Sequence, residues 1–184
     1  MTISNFTEIA KSVVIHSEGG FNDFKQDKGG ATNFGISLRF LKSLDVADAD
    51  ITGDGHVDID DIQNMSMEAA LGFYKEHFWD HYNIHQFMVP ALQRKMFSLL
   101  INMRGRTAMK CAQRALRSLG EPIVDDGYFG RKSLAAWNRV LSRQGANPLI
   151  SSIRSEAAGV YRLIVKANPD QGLFLDGWLN RAYE

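Results

Sequence analysis

The sequence predicts a mainly α-helical chain with one small β element. Three observations lead there: apolar residues recur with helical period over most of the 184 residues, one polar, glycine-rich stretch breaks that period early, and neither an internal repeat nor a low-complexity linker is visible. With 45% hydrophobic residues the chain can bury a proper core, and its length fits one domain or two closely packed lobes.

Taken in order, Phe6, Ile9, Ala10, Val13, Val14 and Ser17 keep the i, i+3, i+4, i+7 spacing of an amphipathic helix, with Ser4 or Asn5 available as N-cap. Glu18 falls at the end of that helix, and Gly19-Gly20 stops it. Phe21 to Gly35 has the turn chemistry of a short hairpin. Ser37 caps the next helix, through Leu44. Residues 45–61 are Asp-rich, and helical period resumes from Ile62 to Tyr82, where Ser66 and Glu68 mark a start. Pro90 opens a helix with Leu92, Met96, Leu99 and Leu100 on one face. Further helices are expected at 107–119, 131–142 and 149–166, separated by the Gly- and Pro-containing stretches 120–130 and 144–148, with a short last one at 171–181.

The formal net charge of zero hides a division. Residues 1–90 hold 6 Lys+Arg and 14 Asp+Glu, and residues 91–184 hold 15 and 7, so −8 faces +8. The change marks the expected boundary between a lobe at 1–89 and a basic helical lobe at 90–184. An acidic half suggests metal ions and a basic half an anionic surface. The single cysteine, Cys111, excludes an internal disulfide and favours synthesis in the cytoplasm; beside Ala112 and Ala115 it reads as an ordinary buried thiol. Glu8, Lys11 and Ser12 interrupt the first apolar stretch, so residues 1–20 are neither a secretory signal nor a membrane span.

Within the acidic half, Asp50-Ile-Thr52-Gly-Asp54-Gly55-His56-Val57-Asp58-Ile-Asp-Asp61 matches a twelve-residue calcium loop position by position. Oxygen ligands fall at positions 1, 3, 5, 9 and 12, the backbone carbonyl of His56 at 7, and glycine at 6 for the sharp turn. Without an ion, Asp48, Asp50, Asp54, Asp58, Asp60 and Asp61 would crowd fourteen residues and repel one another. A structural calcium ion is therefore expected at residues 50–61, and no cofactor for chemistry.

Hydrolysis of a glycosidic bond needs a carboxylic acid to protonate the leaving oxygen and a second polar group to position water or stabilise the oxocarbenium ion. Glu18, Asp27 and Thr32 could supply these, with Asn22 or Asp23 as substitutes in the second role. Glu18 stands where an apolar helix meets a loop, a setting in which partial desolvation keeps a carboxyl protonated near neutral pH.

The run Glu18-Gly-Gly-Phe-Asn-Asp, followed by Asp27-Lys-Gly-Gly-Ala-Thr32-Asn-Phe-Gly-Ile-Ser37, resembles the N-terminal signature of glycoside hydrolase family 108, the bacterial and phage N-acetylmuramidases that include endolysins. Lys28 stands where that family commonly has proline, and Ser37 where it has threonine. The resemblance implies a lysozyme-like fold of two lobes around a cleft, with the hairpin after the catalytic helix. It makes Glu18 the catalytic acid and, by likeness to the Glu/Asp/Thr triad of phage lysozymes, gives Asp27 and Thr32 the attacking water. Tyr74, Trp79 and Tyr82 line one helix face, where rings can belong to the core or stack on sugars. Tyr74 and Trp79 are carried as substrate candidates with Asn102, Trp79 because the family pattern has an aromatic pair near Phe78-Trp79.

In the basic half, Ile101-Asn102-Met103, Ala112-Gln113-Arg114-Ala115-Leu116 and Asp126-Gly127-Tyr-Phe-Gly130-Arg-Lys-Ser133-Leu-Ala-Ala-Trp137 resemble the predicted peptidoglycan-binding region that follows the catalytic segment in that family. Peptidoglycan glycan strands are thus the expected partner; the apolar stripe of residues 149–166 reads first as a helix covering the core, and with Arg154, Arg162 and Lys166 it could alternatively make weak contact with an anionic envelope. Arg104, Arg106, Lys110, Arg114 and Arg117 lack the interleaved aromatics of a single-strand binder, so nucleic acid is set aside. The expected protein is a monomeric muramidase cutting the β-1,4 bond between N-acetylmuramic acid and N-acetylglucosamine, a phage or prophage endolysin made in the cytoplasm that reaches the periplasmic wall after release. The alternatives are a lytic transglycosylase, which would leave 1,6-anhydro ends, and a non-hydrolytic wall-binding or secretion accessory protein. A calcium-sensing adaptor would need a second loop.

Overall fold

The structure, a computed structural model, describes residues 3–17, 21–22 and 30–184. They form two compact units that divide between Tyr82 and Asn83.

The first unit opens with α1 (Ile3–Ser17), which begins early enough to take Ser4 and Asn5 into its first turn. It buries Phe6, Ile9, Ala10, Val13 and Val14, the stripe its period calls for. A hairpin follows, β1 (Thr32–Asn33) and β2 (Ile36–Ser37), then α2 (Leu38–Leu41), α3 (Val46–Ala49), α4 (Ile59–Asn64) and α5 (Met67–Tyr74). The helix expected from Ser37 to Leu44 stops at Leu41, with Ser37 as its cap accepting the Phe40 N–H at 3.2 Å. The period read through Ile62 to Tyr82 is interrupted at Met65, where the backbone turns extended; Ser66 recaps the chain by accepting from Ala69 at 3.1 Å. Past Tyr74 the helix widens into a π segment, Lys75–Asp80, a geometry rare outside special sites.

The second unit holds a short 3₁₀ turn (Ile84–Phe87), α6 (Pro90–Asn102), α7 (Gly105–Ser118), α8 (Arg131–Gln144), α9 (Ala146–Ala167), a 3₁₀ turn (Pro169–Phe174) and α10 (Leu175–Tyr183). Helix α9 is the spine, packed by α6, α7, α8 and α10. Small residues make that possible: Ala108, Cys111, Ala112 and Ala115 on α7 and Ala157 and Ala158 on α9 are all fully buried, so backbones can approach closely without leaving voids. Helix α9 starts before Pro148 rather than after it, because a proline in the first turn gives up an N–H that has no helical partner there. Burial pushes the Cys111 thiol up to about 11, which leaves it protonated and inert at neutral pH. Lys95, only 4% exposed, spans from α6 to α10 by donating to the Arg181 carbonyl at 2.7 Å.

Mainly α with a small antiparallel hairpin behind the first helix, the fold is of the class its sequence predicts.

Candidate active site and acidic loop

Of the three expected catalytic residues, Thr32 lies among the described ones, in the hairpin. Thr32 pairs with Ser37 and Asn33 with Ile36 across a two-residue turn. Both turn residues, Phe34 and Gly35, have positive φ, 48° and 76°, as a type I′ hairpin demands. Phe34 can hold that conformation because its carbonyl receives the Tyr74 hydroxyl at 2.9 Å. Asn33, 6% exposed, donates its amide to the carbonyls of Ile62 at 3.0 Å and Met65 at 3.5 Å, satisfying acceptors at the frayed end of α4. The hairpin is thereby fastened on two sides, by the Tyr74 side chain reaching its turn and by its own Asn33 side chain reaching the end of α4.

Thr32 has a second strand neighbour. Its N–H and carbonyl exchange hydrogen bonds with Asn22, both at 2.8 Å. With its backbone fully used, Thr32 is half-buried, and its hydroxyl has no hydrogen-bond partner among the described residues. Glu18 and Asp27, with the substitute Asp23, lie outside the described residues. Helix α1 runs to Ser17, the residue before Glu18.

The aromatic candidates are corrected. Tyr74 is 1% exposed and Trp79 6%; Trp79 meets the Phe6 ring edge-on at 5.3 Å. Both rings serve the core of the first unit and leave no face for a sugar, since the α5–π segment turns them inward against α1 and the hairpin. Asn102 ends α6 half-buried, its amide donating to the Ser98 carbonyl at 2.8 Å. Asn33 escaped the sequence analysis because an asparagine in a polar loop reads as turn chemistry; its burial depends on α4, a contact remote in sequence.

In the acidic loop, Asp50 accepts the N–H groups of Gly53 at 2.7 Å and Gly55 at 2.8 Å. Asp61 accepts those of Ile51 at 2.8 Å, Thr52 at 3.0 Å and Asp58 at 2.8 Å, closing the loop end to end. Gly55 takes φ +86°, the sharp turn its position requires. The Gly55 N–H, with those of Gly53 and Asp54, holds the Asp50 carboxyl below its ordinary value. At Asp61 burial pushes the other way, and the N–H groups of Asp58, Thr52 and Ile51 outweigh it. The donor set, four carboxylates, the Thr52 hydroxyl and the His56 carbonyl, suits calcium in kind and in order. Among the described residues, no three His, Cys, Asp or Glu side chains converge as a metal cluster.

Residues 11–103 match the model of the family described as glycosyl hydrolase 108, just over half of the chain. Residues 107–183 match the predicted peptidoglycan domain. The first match therefore crosses the division between the compact units and takes in α6, whereas the second falls wholly inside the second unit. Among solved structures, SagA of Brucella abortus is similar in fold: TM-score 0.72 and 22% identity, over 98% of this chain and 91% of that one. No curated protein matches the chain.

Proposed function

The chain belongs to the glycosyl hydrolase 108 family and is a glycoside hydrolase acting on peptidoglycan; we propose that it is a muramidase, hydrolysing the β-1,4 bond between N-acetylmuramic acid and N-acetylglucosamine. The observation that carries the proposal is the family match over residues 11–103, which spans Glu18, Asp27 and Thr32 together and is followed by the peptidoglycan domain. In this scheme Glu18 protonates the glycosidic oxygen as the bond to the anomeric carbon breaks. Asp27 takes a proton from water while its oxygen bonds to that carbon, and the Thr32 hydroxyl orients the same water. The ladder to Asn22 and Ser37 supports the Thr32 role, because a water-orienting group must be held still. A phage or prophage endolysin is the biological setting we propose.

Mass spectrometry of digested peptidoglycan tests the reaction. Products ending in reducing N-acetylmuramic acid are expected. Predominant 1,6-anhydro ends would replace hydrolysis by transglycosylation, in which the sugar's own 6-hydroxyl displaces the leaving group and no water is needed.

We also propose that residues 50–61 bind calcium as a structural ion. Its support is the register of oxygen donors around Gly55. Calcium is expected to give a binding heat by calorimetry and to raise the melting midpoint, and Asp50→Asn to lose both effects. No heat and no shift with the unsubstituted chain would remove the ion from the account.

A further inference from the structure

In the second unit, the loop between α7 and α8 presents one aromatic ring to solvent on an unusually firm base. Tyr128 is 69% exposed. Its N–H donates to the Asp126 carboxylate at 2.9 Å and its carbonyl accepts the Gln113 amide at 3.1 Å. Gln113, 1% exposed, completes the base from within: its amide also donates to Asp126 at 2.9 Å and to Ser133 at 3.2 Å, and its oxygen accepts the Gly127 N–H at 2.7 Å. The next residue, Phe129, turns away and packs edge-on against Trp137 at 5.7 Å. A buried glutamine making four hydrogen bonds is a costly arrangement for a loop whose only task is connection, and here it fixes the position of an exposed ring.

The ring also has a cation. The Arg106 guanidinium lies 4.8 Å from the Tyr128 centroid, and its Nε donates to the Asp126 carbonyl at 3.0 Å, so it is anchored to the same loop. Arg131 and Lys132, three and four residues further on, are exposed and form no ion pair with any described residue. A planar ring with one guanidinium against it, followed three and four residues on by two exposed cations, is the chemistry that fits a sugar carrying carboxylates: the ring packs on a pyranose face, and the cations meet lactyl or peptide carboxylates.

We propose that Tyr128, with Arg106, Arg131 and Lys132, is the surface on which the second unit binds the anionic glycan of peptidoglycan. The proposal rests on peptidoglycan being the partner, and it assigns the contact to this loop rather than to Arg154, Arg162 and Lys166 of α9. A rigid ring loses little freedom on binding, which is what the buried scaffold beneath it provides.

The test is co-sedimentation with purified sacculi on ice in the Glu18→Gln background. Tyr128→Ala is expected to weaken retention about tenfold while Tyr128→Phe stays within about twofold. Arg131→Ser with Lys132→Ser is expected to weaken it and to flatten its dependence on salt. Melting curves check that each variant is folded. Unchanged retention of folded Tyr128→Ala, or an effect confined to phosphatidylglycerol vesicles and absent on sacculi, overturns the proposal. Muropeptides released by the unsubstituted chain, measured separately, report on the hydrolysis, so failure of that reading is not confused with failure of this one.

Discussion

Glu18→Gln is expected to abolish clearing of purified peptidoglycan, lowering the rate by about three orders of magnitude, while circular dichroism and melting stay those of the unsubstituted chain. The amide has the shape of the acid and can still donate a hydrogen bond, but it cannot release a proton to the departing oxygen. That step is what a neutral carboxyl contributes. Asp27→Asn and Thr32→Val are expected to cost less, because water can still approach a carbon whose leaving group is protonated. Equal clearing by Glu18→Gln and the unsubstituted chain would move the acid elsewhere. Absence of clearing by both folded proteins would favour a wall-binding accessory role, in which the second unit carries the function.

The helices were legible because their stripes are local: the buried positions of α1, α6 and α7 repeat at the spacing that the sequence displays. So was the Ser37 cap, a hydroxyl placed before an apolar run. What escaped depends on contacts remote in sequence. Nothing near Asn33 announces that its amide will meet carbonyls 29 and 32 residues on, or near Tyr74 that its hydroxyl will stabilise a positive-φ phenylalanine 40 residues back. An aromatic stripe is equally compatible with a sugar platform and a core, and the decision for Tyr74 and Trp79 came from burial. At the candidate site, Thr32 could be named from the sequence as a hydroxyl in a hairpin, but its ladder to Asn22 could not. The stretch 120–130 in the second unit was legible as the connection before a helix that begins at Arg131. Its purpose was not, because Gln113, which the turn closes on, lies thirteen residues upstream of Asp126.

That turn carries the largest expected effect on stability. Gly127 has φ +83°, and a Cβ there would stand 2.7 Å from the Arg106 carbonyl oxygen. Backbone cannot yield as a flexible side-chain tip can, so Gly127→Ala must either push the start of α7 away or surrender the left-handed turn. Surrendering the turn breaks the 2.7 Å bond from the Gly127 N–H to Gln113 and leaves a buried amide oxygen without its donor. Either route is expected to cost about 3 kcal/mol, a fall in melting midpoint of about 10 °C for a chain of this size. Gly159→Ala is the matched control: nothing lies within 4 Å of a Cβ at that position on α9, and alanine in place of glycine inside a helix is expected to be neutral or to stabilise by up to about 1 kcal/mol. Similar midpoints for the two alanine variants would show that the loop repacks freely around Arg106. A selective loss at Gly127 that also lowers sedimentation with sacculi at temperatures where the variant is still folded would tie the strained turn to the presentation of Tyr128, because the glycine contributes no side chain of its own to the wall and can act only through the backbone it permits.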